Sequence, residues 1–351
     1  TSLVKNPFTM NDATLTPVSE IEATLISDLK ECINLLPASW SGQDLARATS
    51  GAAATLLGKI YLRNHDYANA KTYIDMVLNS GQYELESDFK YVWSENNKYG
   101  KEMIFALLHE TGNNAAEIAC HFGPSDHPEV PGRWQYYGVS LPFWRSYDKE
   151  DPRREFFYYD YTGDAKRDDQ SDYGFHYMVP EEGVTVVPND TTKYMQNVAT
   201  MKYTYDMISD AYYDGRTICI FRLSDVILCK AEIENNLNGP AAALPYLNQI
   251  RARAGAPEYG KHNRFPAPST KEAMNDAILK ERGYELVFEF QRRADLIRFG
   301  KYEEVVNAHL KKLGIAQPTN VTSSLRYFPY PLNDAQLNPN LAAENPSRLP
   351  K

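Results

Sequence analysis

The sequence predicts a mainly α protein of tetratricopeptide-like helix pairs interrupted by a loop-rich, partly β insert. Three observations lead there. Counting from Gly51 as position 1, Ala54, Leu57, Gly58, Tyr61, Ala70, Ile74 and Val77 fall at 4, 7, 8, 11, 20, 24 and 27, where a tetratricopeptide unit of about 34 residues crosses its two helices. A second window opens at Ser224 and places Ile227, Ala231, Ala243, Leu247 and Ile250 at 4, 8, 20, 24 and 27. Between the windows, from Thr111 to Asp214, helical periodicity is lost and Gly, Pro, Asp and Tyr accumulate. The chain accordingly reads as residues 1–110 with the first pair, 111–215 as the insert and candidate ligand region, and 216–351 as a second helical part with a Pro/Asn-rich tail. More than a hundred residues separate the windows, so the two units are not tandem in the sequence.

Each element has a local reason. Thr16-Pro17 opens an amphipathic helix through Ile21, Leu25, Leu29, Cys32 and Leu36, which Pro37 stops. The first pair spans Thr49 to Arg63 and Tyr67 to Asn79, split by Asn64-His65-Asp66 and closed by Ser80-Gly81. Glu102 to His109 reads as a strand, with shorter strand-like pieces at Gly183 to Val187 and Met201 to Tyr205. The tail from Arg326 to Pro350 holds five prolines from Pro329 on, which predicts an extended ending laid over the body.

The chain is organised around a charged helix, Lys271 to Arg293, capped by Ser269 with Glu272 completing a capping box. Its apolar stripe runs through Met274, Ile278 and Phe288, and Glu281 and Glu285 share that stripe, so both carboxylates face inward. Buried carboxylates need cations. Arg222, Arg251, Arg253, Arg292 and Arg298 are the nearest, and Asp295 belongs to the same charged neighbourhood. Gly283 predicts close approach of another backbone. Two inward carboxylates are also the equipment of a glycoside hydrolase, a reading that requires both to open on a common cleft.

Composition excludes other classes. With 351 residues and 43% hydrophobic content the chain buries one large core or two smaller ones. A net charge of −9 without a dense Lys/Arg cluster argues against nucleic acid, and no 18-residue apolar run spans a membrane. Cys32, Cys120, Cys219 and Cys229 lack metal or redox spacing, His121 and His127 lack zinc-site spacing, and the acidic loop Asp164 to Asp172 lacks the EF-hand pattern, so neither metal nor cofactor is expected. No nucleophile elbow, phosphate loop or dinucleotide fingerprint occurs.

Tyrosine is the compositional outlier, 25 against 14 Phe, and 13 of them lie between Pro131 and Tyr213. Tyr pairs an apolar face with a polar tip, which suits stacking on a ligand. Trp134, Tyr136 and Tyr137, between Gly132 and Gly138, form either a flat sugar platform accompanied by Arg133, Asp126 and His127 or a local loop core. Tyr173 and Tyr177 are further ligand candidates. Trp93, Phe143 and Trp144 read as core.

Four segments together resemble the SusD/RagB family of outer-membrane nutrient-binding lipoproteins. They are SGAAATLLGKIYLRNHDYANAKTYIDMVLNSGQY, FRLSDVILCKAEIENNLNGPAAALPYLNQIRARAG, ILKERGYELVFEFQRRADLIRFGKY and YPLNDAQLNPNLAAENP, in the family's order, with YDKEDPRREFF as a further recurring phrase. The resemblance implies a SusD-like helical scaffold, no catalysis, and a surface-exposed, lipid-anchored protein that passes a glycan, or in some members a peptide, to a TonB-dependent, SusC-like outer-membrane transporter. Family members carry a signal peptide, a lipidated Cys and further helices ahead of the stretch corresponding to Thr16. None stands in this sequence, so membrane anchoring rests on the resemblance alone. An intracellular repeat scaffold binding protein partners is the alternative from another class.

Overall fold

The computed structural model describes residues 15–110, 118–124, 127–130, 134–163, 175–182, 192–206, 215–313, 321–322, 328, 330–338 and 340–341. They belong to two compact units, Leu36–Arg292 and the combination of Thr1–Leu35 with Arg293–Lys351. Helix α1 (Val18–Leu35) lies in the second of these and buries no residue fully.

The unit Leu36–Arg292 opens with the first pair, α2 (Ser50–Arg63) and α3 (Tyr67–Leu78). Thr49 caps α2 by accepting from the Ala52 amide (3.2 Å), and Asp66 caps α3 by accepting from Asn69 (3.1 Å). Ala54, Leu57, Ala70 and Ile74 are all 0% exposed. Gly58 sits where the helices cross, and a Cβ there would lie 2.9 Å from Ile74 Cδ1. Gly58→Val is therefore expected to lower stability by about 2 kcal/mol through overpacking, read as a lower urea midpoint at unchanged slope. An unchanged midpoint would show that the crossing tolerates a branched side chain.

After the pair, strand β1 (Met103–Leu107) leads into the insert. Its described elements are short: α4 (Ile118–Phe122), β2 (Val139–Ser140), α5 (Leu141–Trp144), β3 (Phe157–Tyr158), β4 (Asp160–Thr162), β5 (His176–Met178), β6 (Thr192–Tyr194) and β7 (Asn197–Thr200). Strand β8 (Ile218–Arg222) returns antiparallel to β1, so the insert leaves and re-enters the scaffold at one place. Among the described residues β2-β7-β3 and β4-β5-β6 form two further three-stranded sheets. Met201 to Tyr205 is a turn rather than a strand, since the amides of Thr204 and Tyr205 both bond the Met201 carbonyl (3.0 and 2.8 Å). Gly183 to Val187 lies outside the described residues.

Aromatic side chains of the insert pack together with rings of the scaffold. Trp93, Phe122, Phe156 and Tyr203 form one buried cluster, and Trp144, Tyr147, Phe157 and Tyr284 another. Trp93 and Trp144 are thus core residues, with the Trp144 indole donating to the Arg154 carbonyl (3.2 Å).

The second pair is α6 (Leu223–Asn238) and α7 (Pro240–Ala254), ended by Gly255 at φ 73°. Ala231, Ala243, Leu247 and Ile250 are 0% exposed, and Ile227 is 2% exposed. Helix α6 packs on α3, with Lys230 donating to Asp75, and Asp225 takes Lys59 of α2 together with Arg282 (2.7 Å). Pairs far apart in the chain therefore stack in space as neighbouring repeats.

The charged helix, α8 (Lys271–Glu285), packs on α6 and α7. Its N-cap is Thr270, which accepts from Ala273 (3.1 Å), one residue later than Ser269, so Glu272 does not complete a capping box. It also ends at Glu285 rather than at Arg293. Arg222 and Lys202 each donate to the Glu285 carbonyl (both 2.9 Å), and Phe288 and Phe290 then adopt φ of 61°, so the helix is stopped by side-chain donors at its C-terminus. Gly283 faces a guanidinium rather than a backbone, since its Cβ would lie 3.0 Å from Arg292 Nη1.

Helix α9 (Arg292–Arg298) begins at the last residue of the unit Leu36–Arg292, and α10 (Tyr302–Lys312) and α11 (Leu332–Leu337) follow in the other. The predicted extended tail is thus helical over this last stretch, where Pro331 stands at the N-cap, a position that needs no amide donor.

Candidate functional site

Beneath the insert lies a buried ion network. Glu281 receives Arg153 (2.6 Å) and Arg251 (2.7 Å), and Glu285 receives Arg153 (3.0 Å), Arg222 (2.8 Å) and Arg253. Glu102 bonds Arg222 (2.6 Å) and Arg253 (2.7 Å), and Glu289 bonds Arg222 (2.7 Å) and Lys202 (2.6 Å). Asp151, whose side chain also caps the turn Pro152–Glu155, holds Arg153 (2.8 Å). The five carboxylates Glu102, Asp151, Glu281, Glu285 and Glu289 are balanced by Arg153, Lys202, Arg222, Arg251 and Arg253, and Lys202 is the most exposed of the ten side chains at 6%. Glu281 and Glu285 therefore face guanidinium groups and no open cleft, which removes the hydrolase reading. Arg292 instead bonds the Leu279 carbonyl (2.7 Å), and Asp295 and Arg298 pair within α9 (2.9 Å).

Burial alone would raise the Glu285 carboxyl, but Arg253, Arg222, Arg153 and Lys202 outweigh it and hold it well below the ordinary carboxylate range. Burial and then Lys59 and Arg282 act on Asp225 with the same net result. A depressed pKa in the folded state stabilises above the unfolded group's value, near 4, and that contribution is lost as pH falls through the lower folded value. Urea midpoints are expected to fall as the pH is taken below about 4. A midpoint that rises on acidification would contradict this balance of charges.

The ring-bearing surface is built on α4. The Cys120 carbonyl accepts the Trp134 amide (2.6 Å) and the His121 carbonyl accepts the Tyr137 amide (3.0 Å), so two main-chain bonds hang residues 134–137 on the end of the helix. Gln135 turns the chain at φ 49°, its amide donating to Asn197 (3.3 Å). Gly138 allows close approach there, because a Cβ would lie 2.7 Å from Asn197 Oδ1. The His121 imidazole lies 5.1 Å from the Trp134 ring, 5.4 Å from Tyr136 and 6.1 Å from Tyr137. Trp134, Tyr136 and Tyr137 are 38, 66 and 53% exposed, Trp134 lies 5.5 Å from Tyr136, and Tyr137 also packs on the buried Phe122 ring (5.3 Å).

His127 and Tyr177 belong to a second array. The register of β4, β5 and β6 aligns Tyr161, Tyr177 and Lys193 in one row across the sheet. Tyr161 and Tyr177 stack (5.0 Å, 13°), His127 covers Tyr161 (4.9 Å), and the Lys193 ammonium lies over Phe175 (3.7 Å) and Tyr177 (5.6 Å). These rings turn their faces to one another, so the ladder holds the sheet together. Asp126, Arg133 and Tyr173 lie outside the described residues.

Sequence reasoning did not single out Arg153, Lys202 or the central role of His121. Arg153 carries one faint signal, an Asp-Pro start two residues before it, which makes the turn that aims it inward.

Stacked repeat helices, tied through a buried ion network to a loop layer with exposed rings, define a helical-repeat protein with an aromatic surface. The model of the SusD family matches residues 101–347, and the chain belongs to that family. It is 26% identical to the SusD-like protein P25 of Formosa agariphila over 342 residues, 91% of this chain and 62% of that protein. The chain spans about three-fifths of the length of the SusD-like relatives P25 and P38 of that organism. Among solved structures, a SusD-like carbohydrate-binding protein of Bacteroides fragilis superposes with a TM-score of 0.76 at 17% identity, over 97% of this chain and 75% of that one. Surface glycan-binding protein A of Bacteroides thetaiotaomicron in complex with laminarihexaose gives 0.67 at 21%, over 93% and 70%. At these identities the likeness is one of fold.

Proposed function

We propose that the protein is a non-catalytic glycan receptor whose ligand lies across Trp134, Tyr136 and Tyr137. The observation that carries this reading is the exposed three-ring array around His121, held by main-chain bonds to α4 rather than by burial of its own rings. Sugar C–H faces stack on ring faces, and preset rings lose little entropy on binding. Names of family relatives support the ligand class, since solved SusD-like structures include a laminarin binder and a laminarihexaose complex. The inward carboxylates, neutralised and closed off, support binding over hydrolysis. Among the described residues no helix is long and apolar enough to cross a membrane. In this reading the protein sits at the cell surface on a lipid anchor and hands its ligand to a TonB-dependent transporter.

Native electrophoresis through gels containing laminarin, starch or other soluble polysaccharides tests the proposal. Retardation by at least one glycan, with its chain length unchanged after incubation, is expected. Migration unaffected by every glycan, or shortening of the retarding one, would overturn it, the first outcome favouring peptide cargo.

A further inference from the structure

We propose that a concavity beside the first helix pair is a second carbohydrate site, one that takes a single pyranose ring; the inference rests on the reading of the protein as a glycan receptor. The concavity, of about 120 Å³, is lined by Trp40, Tyr83, Tyr99, Arg47 and Gln82 and by Met103 to Ala106 of β1.

Its rings differ from the ladder of the insert. Trp40, Tyr83 and Tyr99 make no ring–ring contact with any described residue, and Trp40 has only the Arg47 guanidinium near its face, at 5.7 Å. Two of the three are nevertheless fixed in orientation. The Trp40 indole donates to the Ala48 carbonyl (2.9 Å), and the Tyr83 hydroxyl pairs with Thr49 Oγ1 (3.1 Å). Gly51 makes room for this phenol, which a methyl group there would overlap. Preset rings that turn no face to another ring are what a sugar needs for stacking.

Polar groups of both kinds accompany them. The Tyr99 hydroxyl and the Gln82 carboxamide make no hydrogen bond to the described residues, and Arg47 pairs only through Nε, with Asp44 (2.6 Å). The sheet β1-β8 has two strands among the described residues, so the outer edge of β1 adds main-chain donors and acceptors. A ring carrying several hydroxyls requires this mixture, whereas an apolar ligand would leave these groups unpaired. Pockets for drug-sized ligands run from about 300 Å³ upward, so this concavity of about 120 Å³ has room for one ring at a time. The platform at Trp134 and this concavity would thus take different parts of a glycan, a run of several rings and a single ring.

Saturation-transfer NMR of the intact protein with a panel of methyl hexopyranosides tests the assignment. Transfer to at least one glycoside is expected, preserved in the Trp134→Ala/Tyr137→Ala variant and weakened about tenfold by Tyr99→Ala, which removes a half-exposed ring. Gln82→Ala is expected to weaken it without touching a ring. Absence of transfer from every glycoside, or transfer that the platform variant removes and Tyr99→Ala preserves, would overturn it. So would binding, sensitive to Tyr99→Ala, of short extended peptides instead of glycosides, because an unpaired strand edge also accepts a peptide. The receptor reading fails separately, through unretarded migration in the polysaccharide gels.

Discussion

Arg222→Ala is expected to lower the stability of the unit Leu36–Arg292 by about 3–5 kcal/mol, the loss associated with leaving buried charge uncompensated. Arg222 is 1% exposed and bonds Glu102, Glu285 and Glu289 at once. It also donates to the Glu285 carbonyl, where α8 ends. Removing it leaves five carboxylates to four cations among side chains at most 6% exposed, and takes one of two side-chain donors from the Glu285 carbonyl. Arg222→Lys is expected to recover only part of the loss, because an ammonium keeps the charge but not the planar fork that reaches three carboxylates. The measurement is urea unfolding of each variant at neutral pH. A loss below about 1 kcal/mol for the alanine variant would mean that the neighbouring arginines and Lys202 compensate by themselves. The prediction concerns removal of one partner only. Replacing a whole buried ion network by apolar residues is often close to neutral, so the network is not by itself a measure of stability.

The second large effect concerns ligand. Trp134→Ala/Tyr137→Ala is expected to weaken glycan binding roughly a hundredfold, about 1.4 kcal/mol for each ring removed, with little change in unfolding midpoint. Little stability is lost because both rings are already exposed, at 38 and 53%. Tyr161→Ala is the informative contrast. Tyr161 stacks on Tyr177 within the ladder, so its removal should disturb the sheet while leaving glycan affinity in place. Calorimetric titration with the glycan that retards the protein in gels, run beside thermal unfolding, separates the two. Equal affinity for the double variant and the wild type would move the ligand site away from α4.

Several features were legible because they depend on local spacing. Seven repeat positions identify the first helix pair, since small residues must recur wherever two helices cross closely. The inward direction of Glu281 and Glu285 follows from the 3.6-residue period, and their need for cations follows from the cost of burying charge. The identity of those cations was only partly legible. Arg222, Arg251 and Arg253 stand near α8 in the second pair, but Arg153 and Lys202 arrive from the insert, more than eighty residues away, and no local rule links them to it. The end of α8 was misplaced for the same reason: its sequence continues in helical register, and what stops it is two side chains from other segments. The division of the aromatic residues was likewise hidden. Trp134 and Tyr177 are equally rich in ring surface, and only the strand register shows that Tyr177 turns its faces to its neighbours.

The sequence by itself determined the helical class, the two repeat pairs, the inward carboxylates and the family resemblance, all of which rest on patterns within a few helical turns or on quoted motifs. Tertiary structure alone decided that the two pairs stack as neighbours across the insert, that β1 and β8 close the insert at one place, and which rings stay exposed. These depend on contacts between residues far apart in the chain, where the outcome is set by packing and charge pairing among whole elements rather than by the spacing within any one of them.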